Sequence, residues 1–466
     1  PDKAYGTKND YKAFIDACHE RGIAVILDVV LNHSFGQSPL VQMYWDGAQN
    51  IPTSDNPWYN QIATHPFSPG YDFNHESPHT RSFMKDVLSF WLEEYKVDGY
   101  RFDLSKGFTQ TNSGQDVGYW SQYDQGRINI LNDYNQHIKS VNPNAYLILE
   151  HLSDNDEEVA LGNAGMMLWG KMTDAFNQNT MGWSPDSDFS WAYFNERGFS
   201  YPNLIPYMES HDEERLMYKN LEFGNSSGGY NVKDEETALQ RMEAINAFYM
   251  MVPGPKMIWQ FGELGYDYSI NYCSDGSISE DCRTAKKPVR WDYYNEPARQ
   301  RLYQTFAAMA DLKTSQEAFL YGNFGKDLNG LVKRAWLSHS SLNVCVGANF
   351  DVVTQNITAD FQHDGMWYHY LTGESINVSG GQNFDLEPGE FYVYIDQELA
   401  RPFVQLDIRV IREEDQSPIQ YASVYIEGLG HATTDANGEV QFYAFSNRDY
   451  PYGISAGEEQ ANGNIA

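Results

Sequence analysis

Cysteine is scarce, with four in 466 residues, and no two are spaced C-x-x-C, so neither a disulfide framework nor a thiolate zinc site organises this chain. No apolar run approaches the ~20 residues that a bilayer-spanning helix needs. Positive charge is thin: 32 Lys and Arg stand against 64 Asp and Glu, a formal net charge of −32. That balance argues against nucleic acid and anionic membranes as partners. Internal repeats and low-complexity tracts are lacking. The chain opens at Pro1 without an initiating Met or a signal peptide, and is read as a processed product or an excised piece.

What is present is a large apolar fraction, 41% of residues, which excludes disorder and fills a sizeable core. The length suits a barrel of roughly 250 residues plus one or two smaller units. The acidity fits a secreted or salt-adapted protein. Aromatics reach 15%, with 33 Tyr and 11 Trp; most are core filler, and exposed rings serve as platforms against sugars. Cys273 and Cys282 flank a polar loop, CSDGSISEDC, where a disulfide is expected in an oxidising compartment. Cys18 and Cys345 are read as buried thiols.

Four segments each carry polar groups just after an apolar run: VILDVVLNH (25–33), VDGYRFDLSK (97–106), AYLILEHLSD (145–154) and YMESHDEERL (207–216). Apolar runs that end in charge describe buried parallel strands whose tips open into a site. Strand-like runs also fall at 166–169, 205–209 and 256–261. Amphipathic spacing predicts a helix over 8–21, with Tyr11, Phe14, Ile15 and Cys18 on its inner face. Another starts at Ser77-Pro78, with Ser77 as cap and Phe83, Val87, Phe90, Trp91 and Tyr95 facing inward. A last helix covers about 296–313. Residues 34–76 have no steady period and read as a functional loop or inserted subdomain. After about 316 the texture becomes antiparallel β, and ARPF (400–403) is a linker to a second small β unit.

Arg101 and Asp103 are two apart, so on a strand they face the same way, and the guanidinium keeps the carboxylate ionised. Glu150 ends an apolar strand, where desolvation raises a carboxyl pKa and suits a proton donor. His211 and Asp212 add a third carboxylate and an imidazole. An acid to protonate a leaving oxygen, and a carboxylate to attack or stabilise a cationic carbon, are what cleavage of a glycosidic bond requires. Two motifs are set aside. His75-Glu-Ser-Pro-His79 fits H-E-x-x-H, but Pro78 marks a helix start between the two His. Gly453-Ile-Ser-Ala-Gly457 fits G-x-S-x-G, but no His follows it, and it is read as a turn.

DVVLNH, GYRFDLSK, ILE and SHD, in that order, resemble the four signature regions of the α-amylase family, glycoside hydrolase family 13, over residues 1 to 396. The resemblance implies a retaining enzyme acting on α-glucosidic bonds of starch- or glycogen-type glucans or maltooligosaccharides. Asp103 would be the nucleophile, Glu150 the acid/base and Asp212 the transition-state stabiliser. Arg101, His33, His211 and Lys106 would bind substrate. Asn32, with Asp72 as a weaker partner, would hold calcium, although Gly107 stands where many amylases have His. The implied architecture is a (β/α)8 barrel over 1–315 with an inserted domain B at 34–76, then a β-sandwich domain C at 316–398. A unit at 402–466 resembles Ig-like or carboxypeptidase regulatory-like modules. PDKAYGT aligns just before the second barrel helix, so the first two strands and first helix would lie upstream. Rival readings are a transglycosylating or branching member, or a surface carbohydrate-binding protein without catalysis. A secreted or cell-surface bacterial location is expected.

Overall fold

A computed structural model describes residues 3–446, 448–457 and 459–465. The chain divides into two compact units, one running to Lys171 and including Tyr193–Pro206, the other comprising Met172–Ala192 and the chain from Tyr207.

The first unit alternates helix and strand: α1 (Lys8–His19), β1 (Ile26–Val29), α2 (Pro78–Phe90), β2 (Gly99–Phe102), α3 (Gln125–Val141), β3 (Tyr146–Leu149), α4 (Asn155–Asn163), β4 (Met167–Lys171) and β5 (Leu204–Tyr207). Local chemistry sets the helix starts. Thr7 and Asp10 form a reciprocal capping box on α1, and Asp124 accepts from Gly126 and Arg127 at the head of α3. Pro78 opens α2 as expected, but the Ser77 hydroxyl donates to the Pro57 carbonyl instead of capping. The buried face of α2 is Thr80, Met84 and Leu88, continued by Leu92 and Tyr95. Phe83 and Phe90, expected inside, are exposed. On α1 only Ile15 is buried; Phe14 is exposed and Cys18 half-buried.

The strands lie in the order β1-β2-β3-β4-β5, with β1 to β4 paired in parallel. Gly99 is needed where β2 meets β3, since a Cβ there would sit 2.2 Å from the Tyr146 carbonyl oxygen. This sheet is open, with β1 at one edge; the expectation was a (β/α)8 barrel whose first two strands lie upstream of these residues. The run 256–261 forms no strand beyond a single bridge from Met257 to Tyr207. Pro253 and Pro255 supply no N–H just before it, and the Lys256 ammonium turns back onto the carbonyls of Pro253, Gly254 and Pro255. Between β1 and α2, His33–Ser34 pairs with Tyr71–Asp72 and Trp45–Asp46 with Ile51–Pro52.

A buried polar brace stands behind the tips of β2 and β3. Arg127 grips Glu157 with Nε (2.6 Å) and Nη2 (2.7 Å) and donates to the Lys106, Trp120 and Gln122 carbonyls. Glu157 also bonds His151 Nε2, whose Nδ1 reaches Ser105 Oγ. His75 is buried too, with Nε2 on the Leu31 carbonyl and Nδ1 on the Tyr134 hydroxyl, and it stacks on Phe108. His79 is exposed, so the H-E-x-x-H pair does not converge.

The second unit packs α5 (Thr173–Met181), α6 (Leu216–Phe223), α7 (Glu235–Met251) and α8 (Pro297–Ser315) around one apolar core. A six-stranded antiparallel sheet follows from Asn323 to Ile395. From Phe403 onward two small antiparallel sheets enclose their own core, including Val424, Ile426 and Phe442. The G-x-S-x-G residues 453–456 run along strand Tyr450–Ala456, and Gly457 alone lies in a turn, at φ 68°. On α8, the Gln300 amide donates to the Leu429 carbonyl (2.8 Å) and accepts from the Tyr443 N–H (2.7 Å), and Gln304 donates to the Tyr443 carbonyl (3.0 Å). Cys273 and Cys282 form a disulfide.

Two stability effects follow. Glu157→Ala leaves Arg127 buried without its anion and lowers unfolding free energy by about 3–5 kcal/mol, read as a shift in urea midpoint at constant m. Burial pushes His75 down from 6.5 to about 4. Its folded form therefore binds fewer protons than the unfolded chain across that window, so this contribution is complete above pH 6.5 and is lost as pH falls towards 4. His75→Gln removes that part of the slope in stability-versus-pH curves; an unchanged slope contradicts the assignment.

Candidate active site

β1, β2 and β3 run parallel and in register, so their C-terminal ends lie side by side, and each carries a carboxylate at or just past its tip. In the ladder Asp28 pairs with Arg101, which pairs with Ile148. Arg101 is 7% exposed at its side chain. Its Nη1 donates to Asp28 Oδ1 (2.7 Å) and to Asp103 Oδ1 (3.1 Å), and Nη2 lies 2.7 Å from Glu150 Oε2. The guanidinium also lies over the Trp169 ring, 4.2 Å from its centroid. Burial works against the charge on Arg101, yet Glu150, Asp28 and Asp103 outweigh it and raise its pKa.

Asp103 leaves the sheet at a sharp turn, because Leu104 adopts a left-handed conformation (φ 45°). The turn aims the Leu104 N–H at Glu150 Oε2 (3.0 Å) and sets Ser105 on the Glu150 carbonyl through both N–H and hydroxyl. The expected desolvation of Glu150 is present, at 9% exposure. The purely apolar setting is not, since Arg101 and the Leu104 N–H both stabilise its anion.

The remaining proposed residues fall as follows. His33 is half-buried; burial lowers its pKa, with Asp103 and then Asp72 opposing, which marks it as a neighbour of Asp103. Lys106 directs its ammonium at Ser121 Oγ (3.1 Å) and the Leu152 carbonyl (2.8 Å), over the Trp120 ring. Burial, then Arg127, depresses it to about 8. It is thus a brace beneath the β2 tip. His211 and Asp212 belong to the second unit, beyond Met208 and Glu209, which are buried. His211 Nε2 lies 3.4 Å from Asp212 Oδ2, and its ring meets Trp259. Glu209 fixes the start of α6 by accepting from the Leu216 N–H (2.7 Å) and Arg215 (3.1 Å).

Sequence reasoning did not single out Asp28, although it ends the apolar part of VILDVVLNH on the same strand face logic that found Arg101. Trp169, Glu209 and Arg283 were also missed. No local pattern marks Arg283, because its partner is 71 residues away.

Asn32 and Asp72 are the residues expected to hold calcium. Both are buried, and Asn32 Oδ1 has no hydrogen-bond donor. The surroundings are occupied: His65 Nε2 stands 3.2 Å from Asp72 Oδ1, and Asn60 donates to Asp72 Oδ2 (2.7 Å). A Cβ on Gly107 would fall 1.8 Å from Asn32 Oδ1 and 2.8 Å from His65 Nε2, so no larger side chain fits there. Calcium takes six to eight oxygen ligands. One amide oxygen, one carboxylate already shared with Asn60 and an imidazole do not make that set.

The family model for the α-amylase catalytic domain matches residues 2–70 and 64–321, more than half of the chain. Alpha-amylase 3 of Dictyoglomus thermophilum is 24% identical over 288 residues, covering 57% of this chain and 52% of that protein. A 1,4-alpha-glucan branching enzyme GlgB of Aliivibrio fischeri is 29% identical over 195 residues, covering 40% and 26%. The chain thus spans about half or less of the length of these curated relatives. Among solved structures, an α-amylase from Geobacillus thermoleovorans complexed with acarbose is similar with TM-score 0.63 at 15% identity, over 84% of this chain and 82% of that one. An Anoxybacillus α-amylase gives 0.61 at 17%, over 84% and 79%. These likenesses are of fold: the neighbours are α-amylases, and this chain shares with them a parallel α/β region, here an open sheet, followed by an antiparallel β domain. With the family model matched across both the β1–β4 region and the chain onward to 321, the chain belongs to the α-amylase family.

Proposed function

We propose that this protein is a retaining glycoside hydrolase that cleaves α-glucosidic bonds in starch- or glycogen-type glucans or maltooligosaccharides. The observation that carries this reading is the placement of Asp103 and Glu150 at neighbouring strand tips on one buried guanidinium. The Asp103 carboxylate, held by Arg101 Nη1, attacks the anomeric carbon. Glu150 gives its proton to the departing glycosidic oxygen, and a covalent glycosyl–Asp103 ester forms. Glu150 then takes a proton from water, whose oxygen attacks the same carbon and releases Asp103. Desolvation supports the donor role of Glu150; substrate that draws Arg101 towards its own oxygens weakens the opposing contact. Asp212, with His211 beside it, is assigned to the sugar hydroxyls that sharpen the transition state, on the strength of the SHD resemblance. His33, next to Asp103, and Arg101 belong to the same ring site, and Lys106 acts from beneath it.

A transglycosylating role is the second reading, favoured by relatives named 1,4-alpha-glucan branching enzyme. In it the glycosyl ester passes to a sugar hydroxyl in place of water. A non-catalytic carbohydrate-binding protein is the third, and the complete carboxylate set weighs against it. The segment from Phe403 onward is assigned as an Ig-like accessory module, which its independent small core supports. The Cys273–Cys282 disulfide supports export to an oxidising compartment.

Asp103→Ala should lower turnover of soluble starch by on the order of 10^4-fold or more while the chain still folds, as read by circular dichroism. Full activity in that variant removes the nucleophile assignment. Chain-length analysis of the wild-type products separates the first two readings, since shorter oligosaccharides mean hydrolysis and new branch points mean transfer. Because the Asn32–Asp72 donor set does not fit calcium, dialysis against EDTA is expected to leave turnover and thermal midpoint unchanged. Loss of either, restored by added calcium, contradicts that view.

A further inference from the structure

Asp212 sits on an irregular segment, 210–215, that has no helix or strand of its own to hold it. Its N–H donates to Ser210 Oγ (3.1 Å) and the adjacent His211 Nε2 lies 3.4 Å from its Oδ2, while a further partner comes from far along the chain. Arg283 Nη2 donates both to the Asp212 carbonyl (2.6 Å) and to Asp212 Oδ1 (3.0 Å), so one nitrogen fixes the backbone and the side chain together. Both side chains are about half exposed, at 47% and 48%. An ion pair of that kind is worth little in water when its cation is free to wander.

Arg283 is not free to wander. It follows Cys282, which is covalently tied to Cys273. The closed loop is further knit by Cys273 N–H to the Ser277 carbonyl (2.8 Å) and Ser279 N–H to the Asn271 carbonyl (2.9 Å). A 3-10 turn over Glu280–Cys282 delivers the chain to Arg283, and Lys287 Nζ pins the Cys282 and Ala285 carbonyls on the far side. The loop is also anchored to the Asp212 segment at its other end. Glu214, two residues beyond Asp212, accepts from Ser269 Oγ and the Ile270 N–H, each at 2.7 Å. Segment 210–215 and loop 269–283 are therefore joined at two points, Asp212 with Arg283 and Glu214 with Ser269 and Ile270.

We infer that Arg283 is a positioning residue for Asp212, and that the Cys273–Cys282 disulfide is the element that makes it one. The inference rests on the proposed role of Asp212 in the transition state. With the guanidinium on Oδ1, the carboxylate is held in one rotamer before substrate arrives. Without it the carboxylate samples others, which weakens an interaction that matters most in the transition state.

The test compares kcat and KM on soluble starch for the full chain and for Asp212→Asn, Arg283→Gln, Arg283→Lys, Cys273→Ser/Cys282→Ser and the last combined with Arg283→Gln. Arg283→Gln is expected to lower kcat about tenfold, or about 1.4 kcal/mol in activation free energy, while KM moves less than about twofold. Arg283→Lys, which can reach one of the two oxygens, recovers part of the loss. The cysteine pair variant lowers kcat in the same direction, and adding Arg283→Gln to it costs nothing further, because the two act as one unit. Should Asp212→Asn keep wild-type turnover, the reading of Asp212 falls and takes this inference with it. Should Asp212→Asn be inactive while the Arg283 and cysteine variants stay within twofold of wild type, the inference alone is overturned. Additive losses in the combined variant, or a lowered thermal midpoint with kcat intact, also overturn it.

Discussion

Arg101 is a permanently charged group sunk where three strand ends meet, and only anions brought to that spot can balance it. Moving such an ion out of water costs several kcal/mol unless its donors are engaged. Asp28, Asp103 and Glu150 balance its charge from β1, β2 and β3, with Nη1 hydrogen-bonded to the first two and Nη2 paired with Glu150 by charge alone. Because the strands are parallel and in register, their tips can share one cation without distortion. The same guanidinium that ties the sheet ends together also places the Asp103 carboxylate, so one interaction serves the fold and the chemistry at once. Trp169 closes the cation from the side and limits its reorientation.

Behind that front layer the molecule repeats the device at greater depth. Arg127 and Glu157 are almost wholly enclosed, and each remaining donor or acceptor finds a backbone or imidazole partner. The chain His151–Ser105 links this second pair to the turn that follows β2. The position of the Glu150 carboxyl is thereby set from two directions, by Arg101 in front and by the Ser105 turn behind. Such satisfied polar networks specify a single arrangement more sharply than apolar contacts alone.

How much of this was legible in the sequence depended on the range of the forces involved. The tips of β2 and β3 could be read, because the apolar run before Asp103 and Glu150 and the two-residue spacing of Arg101 and Asp103 are local facts. The start of α2 was announced by Pro78. Its buried face was misplaced by one position: both Phe83 and Met84 are apolar, and only the tertiary neighbours decide between them. The strand expected at 256–261 failed because the pattern of Met257, Ile258 and Trp259 carries no word of the prolines and the inward-turned lysine before it. Calcium was inferred from Asn32 and Asp72, while His65, which stands against that carboxylate, lies in a segment without periodicity. Partners 71 residues apart, such as Asp212 and Arg283, leave no trace in spacing at all.

Gln300 is buried, unlike an ordinary surface glutamine. Its amide binds one backbone N–H and one backbone carbonyl of the terminal β unit, the pair of contacts that a neighbouring strand would otherwise make. Gln304 adds a second rung to the Tyr443 carbonyl. The terminal unit is therefore rooted in α8 rather than dangling from its short connector. A pull on that unit would load the helix directly, as a bracket bolted to a beam transmits force that a rope would absorb.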